Sequence, residues 1–211
     1  MFVAELWRYP VKSMGGERLD GSRLEPDGIP GDRIVHVEDA HGRVVTARSR
    51  PQLLRHCARL DGEIVLVDGR PWTDRSVARD VERAAGEGAR LAAWSGLERF
   101  DVLPLLITTD GAIAALGHDL RRLRPNLVVG GVDGLAERSW EGRRLAVGGA
   151  VIFAVDLRQR CIMTTFDPDT AVQDVEVLKR IHRQFDGTFA LNCRLEVAGP
   201  VAVGDAVRLI P

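Results

Sequence analysis

The stretch RRLAVGGAVIFAVDLR, residues 143–158, decides the fold class of this chain. It is rich in apolar and β-branched residues, and the pair Gly148-Gly149 interrupts it. Because strands favour such residues and glycine pairs are typical of turns, the stretch predicts two strands joined at the glycines. Other segments have similar patterns: residues 33–49 predict a hairpin, residues 63–69 and 71–77 two short strands, and residues 194–210 two strands about a Gly-Pro turn.

Helical patterns are fewer than strand patterns. They cover residues 77–85, 111–125 and 175–185. In the last of these, Val177, Ile181 and Phe185 are spaced to share one helical face. Many short strands with few helices predict a mainly β protein of the α+β class, in which a β-barrel or rolled sheet carries helices at its edge.

Composition and charge exclude several classes of protein. Hydrophobic residues make up 45% of the 211-residue chain, enough for a sizeable core. The 29 basic and 30 acidic side chains leave a net charge of -1, which gives no overall attraction to nucleic acid or to an anionic membrane. No stretch reaches the roughly 18 uncharged apolar residues that span a bilayer, and the start of the chain does not resemble a signal peptide. We therefore expect a cytoplasmic protein.

Three cysteines, Cys57, Cys161 and Cys193, are too few for an iron–sulfur cluster held by four thiolates. Their odd number and the expected compartment argue against structural disulfides, and their spacing is not that of a zinc site. Cys161 stands out because Arg158 and Arg160 precede it and favour its thiolate form, which binds soft metals. From the residues alone, Cys161 is a packed core residue, a nucleophile or a metal ligand.

Six motifs occur in an order that resembles MOSC-domain proteins, the family named after the C-terminal part of molybdenum cofactor sulfurase. They are YPVKSMGGE (9–17), GIPGDRIVHVED (28–39), RPNLVV (124–129), RCIMTTFDPDT (160–170), FALNC (189–193) and VAVGDAVRLI (201–210). The resemblance covers nearly the whole chain and is nearest to the amidoxime-reducing members of the family. It implies an N-terminal β-barrel-like region at residues 1–88, packed on a MOSC β-barrel at residues 89–211.

The resemblance also implies a molybdenum–molybdopterin cofactor and its binding residues. Cys161 matches the cysteine that ligates molybdenum. The residues implied to hold the pterin and its phosphate are Lys12, Ser13, Arg33, Arg124 and Asn126, with further contacts from Thr109, Arg160 and Asn192. Asp167 is a candidate catalytic residue, which would either orient the loop of Cys161 or lie near the substrate as a proton donor. Planar guanidinium groups bind phosphate oxygens in pairs, which suits the arginines to this role.

Four of these residues also have a purely structural interpretation. Lys12 fits a solvated strand end, Arg33 a partner for Asp32, and Asp167 the turn that DPDT predicts. Arg124 fits the negative end of a helix. Two features depart from the family pattern: Ala171 stands where related chains often have glycine, and the segment between the two halves, residues 86–100, is short.

The leading functional hypothesis is a molybdenum-dependent oxidoreductase that reduces N-hydroxylated compounds. Because no iron–sulfur or flavin motif is recognisable, electrons would come from a separate donor, a ferredoxin-like or flavin reductase protein. The first alternative is a molybdenum cofactor carrier or a protein that transfers sulfur as a persulfide on Cys161. The second is a non-catalytic barrel whose basic side chains bind an anionic ligand or a partner protein.

Overall fold

A computed structural model describes residues 1–94 and 96–211 and contains sixteen strands and three α-helices in that part of the chain. The strands are β1 Phe2–Arg8, β2 Glu17–Leu19, β3 Gly21–Leu24, β4 Val35–Glu38, β5 Val44–Val45, β6 Ala58–Asp61, β7 Ile64–Val67, β8 Arg70–Pro71, β9 Arg90–Ala93, β10 Leu105–Thr109, β11 Leu127–Gly130, β12 Arg144–Val147, β13 Ala150–Gln159, β14 Thr188–Val197, β15 Gly199–Ala202 and β16 Val207–Ile210. The helices are α1 Arg75–Ala85, α2 Asp110–Leu116 and α3 Val175–Phe185. Five short 3₁₀ helices cover Pro51–Arg55, Leu97–Arg99, Leu120–Arg122, Ala136–Ser139 and Ile162–Thr165.

The glycine-interrupted stretch forms the β12–β13 hairpin of an eight-stranded sheet, as predicted. The strand order of this sheet is β16-β12-β13-β14-β10-β11-β1-β2. At the hairpin turn, Gly148 has a φ of 53°, and a Cβ there would lie 2.9 Å from the carbonyl oxygen of Pro200. Glycine therefore meets both the conformation and the close packing of this turn.

The mainly β class is confirmed, but the sheets are open instead of closed barrels. β1 pairs with β11 along one edge, while β2 occupies the Leu6–Arg8 part of its other edge. Only the first residues of β1 are left to meet the far end of the sheet, through the single bridge Phe2↔Ala206 and neighbouring backbone hydrogen bonds. The short strand β2 thus takes the edge that a continuous barrel would need.

Helices α1 and α3 form at the predicted segments. Asp74 caps α1 by accepting a hydrogen bond from the backbone N–H of Ser76, which starts the helix two residues earlier than predicted. The predicted helix over residues 111–125 is wrong in its second half: α2 ends at Gly117, whose φ of 69° stops it, and a separate 3₁₀ helix follows.

Two turn and strand predictions are also wrong. The Gly199-Pro200 pair lies inside β15, where it pairs with β3, and the chain turns instead at residues 203–205. Of the predicted strand at residues 71–77, only Pro71 belongs to a strand. The rest becomes a turn and the start of α1, because the cap at Asp74 begins a helix there.

Three apolar cores support these elements. One lies against the eight-stranded sheet, a second packs α1 against β4, β6 and β7, and a third joins α2 to α3. Phe166, five residues after Cys161, is buried in the second core with Val11 and Met14. The segment that carries Cys161 is therefore attached to the N-terminal region as well as to β13.

Candidate functional site

A polar cavity of about 770 Å³, including its open mouth, lies where the N-terminal motifs meet the end of β13. Eight of the ten predicted site residues line it: Lys12, Ser13, Arg33, Arg124, Asn126, Arg160, Cys161 and Asn192. Four further charged side chains that the resemblance did not assign also line it: Arg48, Asp101, Arg122 and Arg158. Seven cations thus face one carboxylate among the described residues of the lining.

Cys161 lies at the cavity wall, partly exposed, just after β13 ends. It precedes a 3₁₀ helix, and its carbonyl oxygen accepts a hydrogen bond of 2.9 Å from the hydroxyl of Thr164. Arg122 donates to the carbonyl oxygen of Thr165 at 3.0 Å and to that of Thr164 at 3.4 Å. These bonds fix the backbone beside the thiol, so Cys161 presents its sulfur from a rigid turn.

Three cavity residues have a left-handed backbone. Ser13, Arg33 and Arg124 have φ angles of 74°, 54° and 57°. Each such residue costs roughly 1–2 kcal/mol, so the surrounding structure has to hold it. The Ser13 hydroxyl accepts a 3.0 Å hydrogen bond from the N–H of Ala47, and Arg33 donates its own N–H to the Tyr9 carbonyl at 2.8 Å. Such strain clusters at functional sites.

Tyr9 organises two of these arginines. The guanidinium groups of Arg124 and Arg33 lie 4.3 and 5.5 Å from the centre of its ring, within cation–π range. Arg33 is also paired with the buried carboxylate of Asp32. The Asp32 partner predicted for Arg33 is therefore present, and it coexists with a position of Arg33 in the cavity lining. The helix end predicted for Arg124 is wrong, because its guanidinium donates to the carbonyl of Met14, which belongs to no helix.

Two half-buried arginines, Arg124 and Arg160, each have one buried N–H group without a partner among the described residues. Burial lowers the pKa of Arg124 to about 10, and burial together with repulsion from Arg158 lowers the pKa of Arg160 to about 10. Arg124 donates to the carbonyl of Met14 at 2.6 Å and Arg160 to that of Leu123 at 2.9 Å. Nη2 of Arg124 and Nε of Arg160 have no partner among the described residues. Unpaired buried donors are costly, and an anion with several acceptors would satisfy them.

Asp101 is the centre of the remaining charge. Its carboxylate accepts from Lys12 Nζ at 2.9 Å and from Arg48 Nη2 at 2.5 Å, and it lies 3.6 Å from Arg158 Nη2. Burial alone would raise the pKa of Asp101, but Lys12 and the two arginines outweigh it and lower the pKa to about 2. Burial alone would lower the pKa of Arg48, but interactions with the side chains of Cys161 and Asp101 outweigh it and raise that pKa. The thiol therefore belongs to the same charge network.

The two asparagines of the lining are already bonded within the protein. The Asn126 oxygen accepts from the N–H of Leu106 at 3.1 Å, and its amide donates to Trp7 and Asp32. The Asn192 amide donates to Asp156 at 2.6 Å. Asn126 thus joins β10 to the β1–β11 pair, and its position in the lining follows from that framework role.

Two predicted residues are not in the cavity lining. Thr109 is buried, caps α2 through the N–H of Ala112 at 3.1 Å, and donates to Glu137. Asp167 forms the DPDT turn, where it accepts from the backbone N–H groups of Asp169 and Thr170 and pairs with Arg122 at 3.2 Å. Asp167 therefore stabilises a turn and does not line the cavity beside Cys161.

The additional residues had no strong sequence signal. Arg48 lies near the end of the predicted hairpin, and Asp101 lies in a segment for which no element is predicted. Both lie outside the observed strands and helices and reach the cavity only through the tertiary fold. The sequence indicates Arg158 only through its charge close to Cys161. Arg122 lies within the helix predicted over residues 111–125, which gives it no role in a site. Charge balance predicts that so many cations in one place need an anion, but it does not say which of the 30 acidic residues supplies it.

The described residues do not by themselves assemble a metal site. Within residues 1–94 and 96–211, no three or more His, Cys, Asp or Glu side chains are grouped to hold a metal ion. A metal at Cys161 would therefore take its other ligands from a non-protein group. The same described residues form no helix with the length and apolarity needed to cross a membrane.

The chain is similar to known proteins in its sequence and in its fold. The family model of the MOSC N-terminal beta barrel domain matches residues 1–99, and that of the MOSC domain matches residues 109–208. Human mitochondrial amidoxime-reducing component 1 is 27% identical, covering 99% of this chain and 82% of that protein. Mitochondrial amidoxime reducing component 2 of Bos taurus is 24% identical, covering 97% and 82%.

The alignment with the human protein spans 281 positions, more than the 211 residues of this chain, so the human protein carries additional residues inside the matched region. Among solved structures, the YUAD protein from Bacillus subtilis shares the fold with a TM-score of 0.51 at 16% identity, covering 98% of this chain and 93% of that one. The two domain matches and their order show that this chain belongs to the MOSC-domain family.

Proposed function

We propose that the protein is a molybdenum-cofactor-dependent reductase of N-hydroxylated compounds. The observation that carries the proposal is the position of Cys161 at the wall of a cavity with seven cationic side chains and one carboxylate in its described lining. The names of the similar mitochondrial proteins support the reaction class. A cytoplasmic location and a ferredoxin-like or flavin reductase donor remain predictions.

The residues present fit a cofactor that combines a phosphate with a hydrogen-bonding ring system. Lys12, Arg33, Arg124 and Arg160 would hold its oxygens, two of them with donors that the protein leaves unpaired. Cys161 would supply a thiolate ligand to molybdenum. When bound, the cofactor supplies two-electron redox chemistry, while the protein supplies position, charge and exclusion of water.

The net reaction defines what has to enter and leave the cavity. An N–OH group takes up two electrons and two protons, its N–O bond breaks, an N–H group forms, and water leaves. An amidoxime becomes an amidine in this way. The electrons come from a separate donor protein, and the protons come from solvent at the cavity mouth, where Arg48 and Val102 are exposed.

The test compares wild type with Cys161→Ser, both expressed in a host that makes the cofactor, with Cys57→Ser as the matched cysteine control. Molybdenum is measured by mass spectrometry, pterin by fluorescence of its oxidised form, and benzamidoxime reduction with reduced viologen as electron source. The proposal expects metal, pterin and turnover in wild type and Cys57→Ser, and loss of metal and turnover in Cys161→Ser.

Other outcomes separate the alternatives. Equal pterin in all three proteins without turnover favours a cofactor carrier. A sulfur-transfer protein would instead carry a persulfide on Cys161, visible as an added mass of one sulfur atom. Absence of metal and pterin from all three, despite confirmed cofactor supply, would refute the reductase proposal.

A further inference from the structure

Asp101 has contacts that an exogenous anion would have. Its two carboxylate oxygens are approached by Lys12, Arg48 and Arg158 at 2.9, 2.5 and 3.6 Å. Proteins bind phosphate and carboxylate ligands in the same way, with a lysine and arginines around two adjacent oxygens. In this chain the anion that fills the position is part of the protein.

Of the three cations, Lys12 has the least alternative compensation. Lys12 is 9% exposed and is otherwise held by the carbonyl oxygen of Arg99 at 2.8 Å and the ring of Trp94 at 5.3 Å. Burial lowers the pKa of Lys12, and the contact with Asp101 opposes that shift. Without a neighbouring anion, this ammonium group would be buried at high cost. Asp101 therefore stabilises the basic cavity when no ligand is bound.

The position of Asp101 in the chain suits an exchangeable contact. It follows the 3₁₀ helix Leu97–Arg99 and precedes Val102, which is 53% exposed, so the carboxylate is carried by a surface segment and not by a strand of the sheet. The cations it meets come from other parts of the chain, with Arg158 on β13. Movement of one side chain at the cavity mouth would free all three cations together.

We propose that Asp101 is an internal counter-ion that occupies an anion-binding position formed by Lys12, Arg48 and Arg158, and that an incoming oxyanion displaces it. The ligand class is a phosphate or carboxylate group. The inference depends on the proposed function in one respect only, the source of that anion, which is either the cofactor or a substrate. Binding of inorganic phosphate by metal-free protein tests it independently of molybdenum chemistry.

The first experiment titrates inorganic phosphate into metal-free wild type and Asp101→Asn, with affinity measured by calorimetry. Removing a competing carboxylate from the position is expected to tighten phosphate binding by at least about tenfold. Asp61→Asn is the control, since Asp61 is an exposed carboxylate with 66% of its side chain accessible and the substitution changes the net charge equally. Unchanged binding by Asp101→Asn would overturn the proposal, because it would show that the carboxylate does not compete with phosphate. Weaker binding would also overturn it, because it would show that the carboxylate holds the cations in place for the ligand.

A second measurement uses wild type alone and holds even where Asp101→Asn fails to fold. The ¹³C resonance of the Asp101 carboxyl carbon is followed by NMR as phosphate is added at pH 7. Displacement predicts a saturable shift with the same dissociation constant as calorimetry. Phosphate that binds without moving this resonance would refute displacement.

The source of the anion follows from repeating the NMR titration on protein loaded with cofactor. A resonance already at its displaced position, and unresponsive to phosphate, identifies the cofactor phosphate as the ligand. A resonance that still responds identifies a site for an anionic substrate. Failure of the reductase proposal would leave the phosphate result on metal-free protein unaffected, so the two failures are distinguishable.

Discussion

Arg122→Gln is expected to destabilise the turn that presents Cys161. The Arg122 side chain is 9% exposed, and it donates to the carbonyl oxygens of Thr164 and Thr165 and to Asp167. A hydrogen bond from a charged donor contributes about 1.5–3 kcal/mol, and the acceptors here would be left partly unpaired. Glutamine can replace at most one of these bonds, so we expect a loss of about 2–4 kcal/mol in the free energy of unfolding.

The neighbouring Arg121→Gln is the matched control. Arg121 lies on the same 3₁₀ helix and makes short contacts with Asp119 and Asp169, but its side chain is 36% exposed. Exposed ion pairs contribute about 0–1 kcal/mol, because water and salt screen them.

Urea unfolding of both variants at pH 7 gives the comparison, with molybdenum retention after dialysis as a second measure. Arg122→Gln should lose both stability and bound metal, whereas Arg121→Gln should lose little of either. Equal effects of the two substitutions would show that contacts with the backbone near Cys161 do not hold the site.

Three further predictions concern other parts of the chain. Ala171 has a left-handed φ of 58°, so Ala171→Gly should raise the free energy of unfolding by about 0.5–1 kcal/mol in urea titrations, and a loss would show that its buried methyl group outweighs the strain. The pKa of Asp101 is lowered to about 2, so its contribution is fully present above its ordinary pKa and is lost as the pH falls from about 4 to about 2. The difference in the free energy of unfolding between wild type and Asp101→Asn should therefore shrink as the pH falls across that range. A difference that stays constant would show that ionisation of Asp101 is not the cause of the stability difference. Cys193 is buried, and burial raises the pKa of its thiol. A thiol reagent should therefore label Cys57 and Cys161 in native, metal-free protein and Cys193 only after unfolding. Labelling of Cys193 in the native protein, detected by mass spectrometry, would contradict its core position.

Local patterns in the sequence were sufficient for the hairpin and for two helices. The β12–β13 hairpin follows from glycines between two β-branched runs, and α3 buries Val177, Ile181 and Phe185 as their spacing predicts. The closure of the sheet could not be predicted in this way. It depends on which strand takes the free edge of β1. That strand is β2, which has only three residues and is too short to show the alternation by which a strand is predicted.

The motifs predicted most of the residues of the site, but they did not predict which acid compensates its cations. The resemblance identifies residues that the fold brings together, including Lys12 and Arg124, which are far apart in the chain. It does not identify Asp101, whose importance appears only when its three cations are seen around it. Asp167 shows the opposite case, since a residue inside a family motif lies in the turn that the DPDT pattern itself predicts.

The most direct test of the central claim is anomalous diffraction at the molybdenum absorption edge from crystals of protein made in cofactor-producing cells. The account predicts one anomalous peak in the cavity, bonded to the sulfur of Cys161, with the cofactor phosphate among the basic side chains. Stoichiometric molybdenum located elsewhere, or bound in the cavity without contact to Cys161, would contradict it.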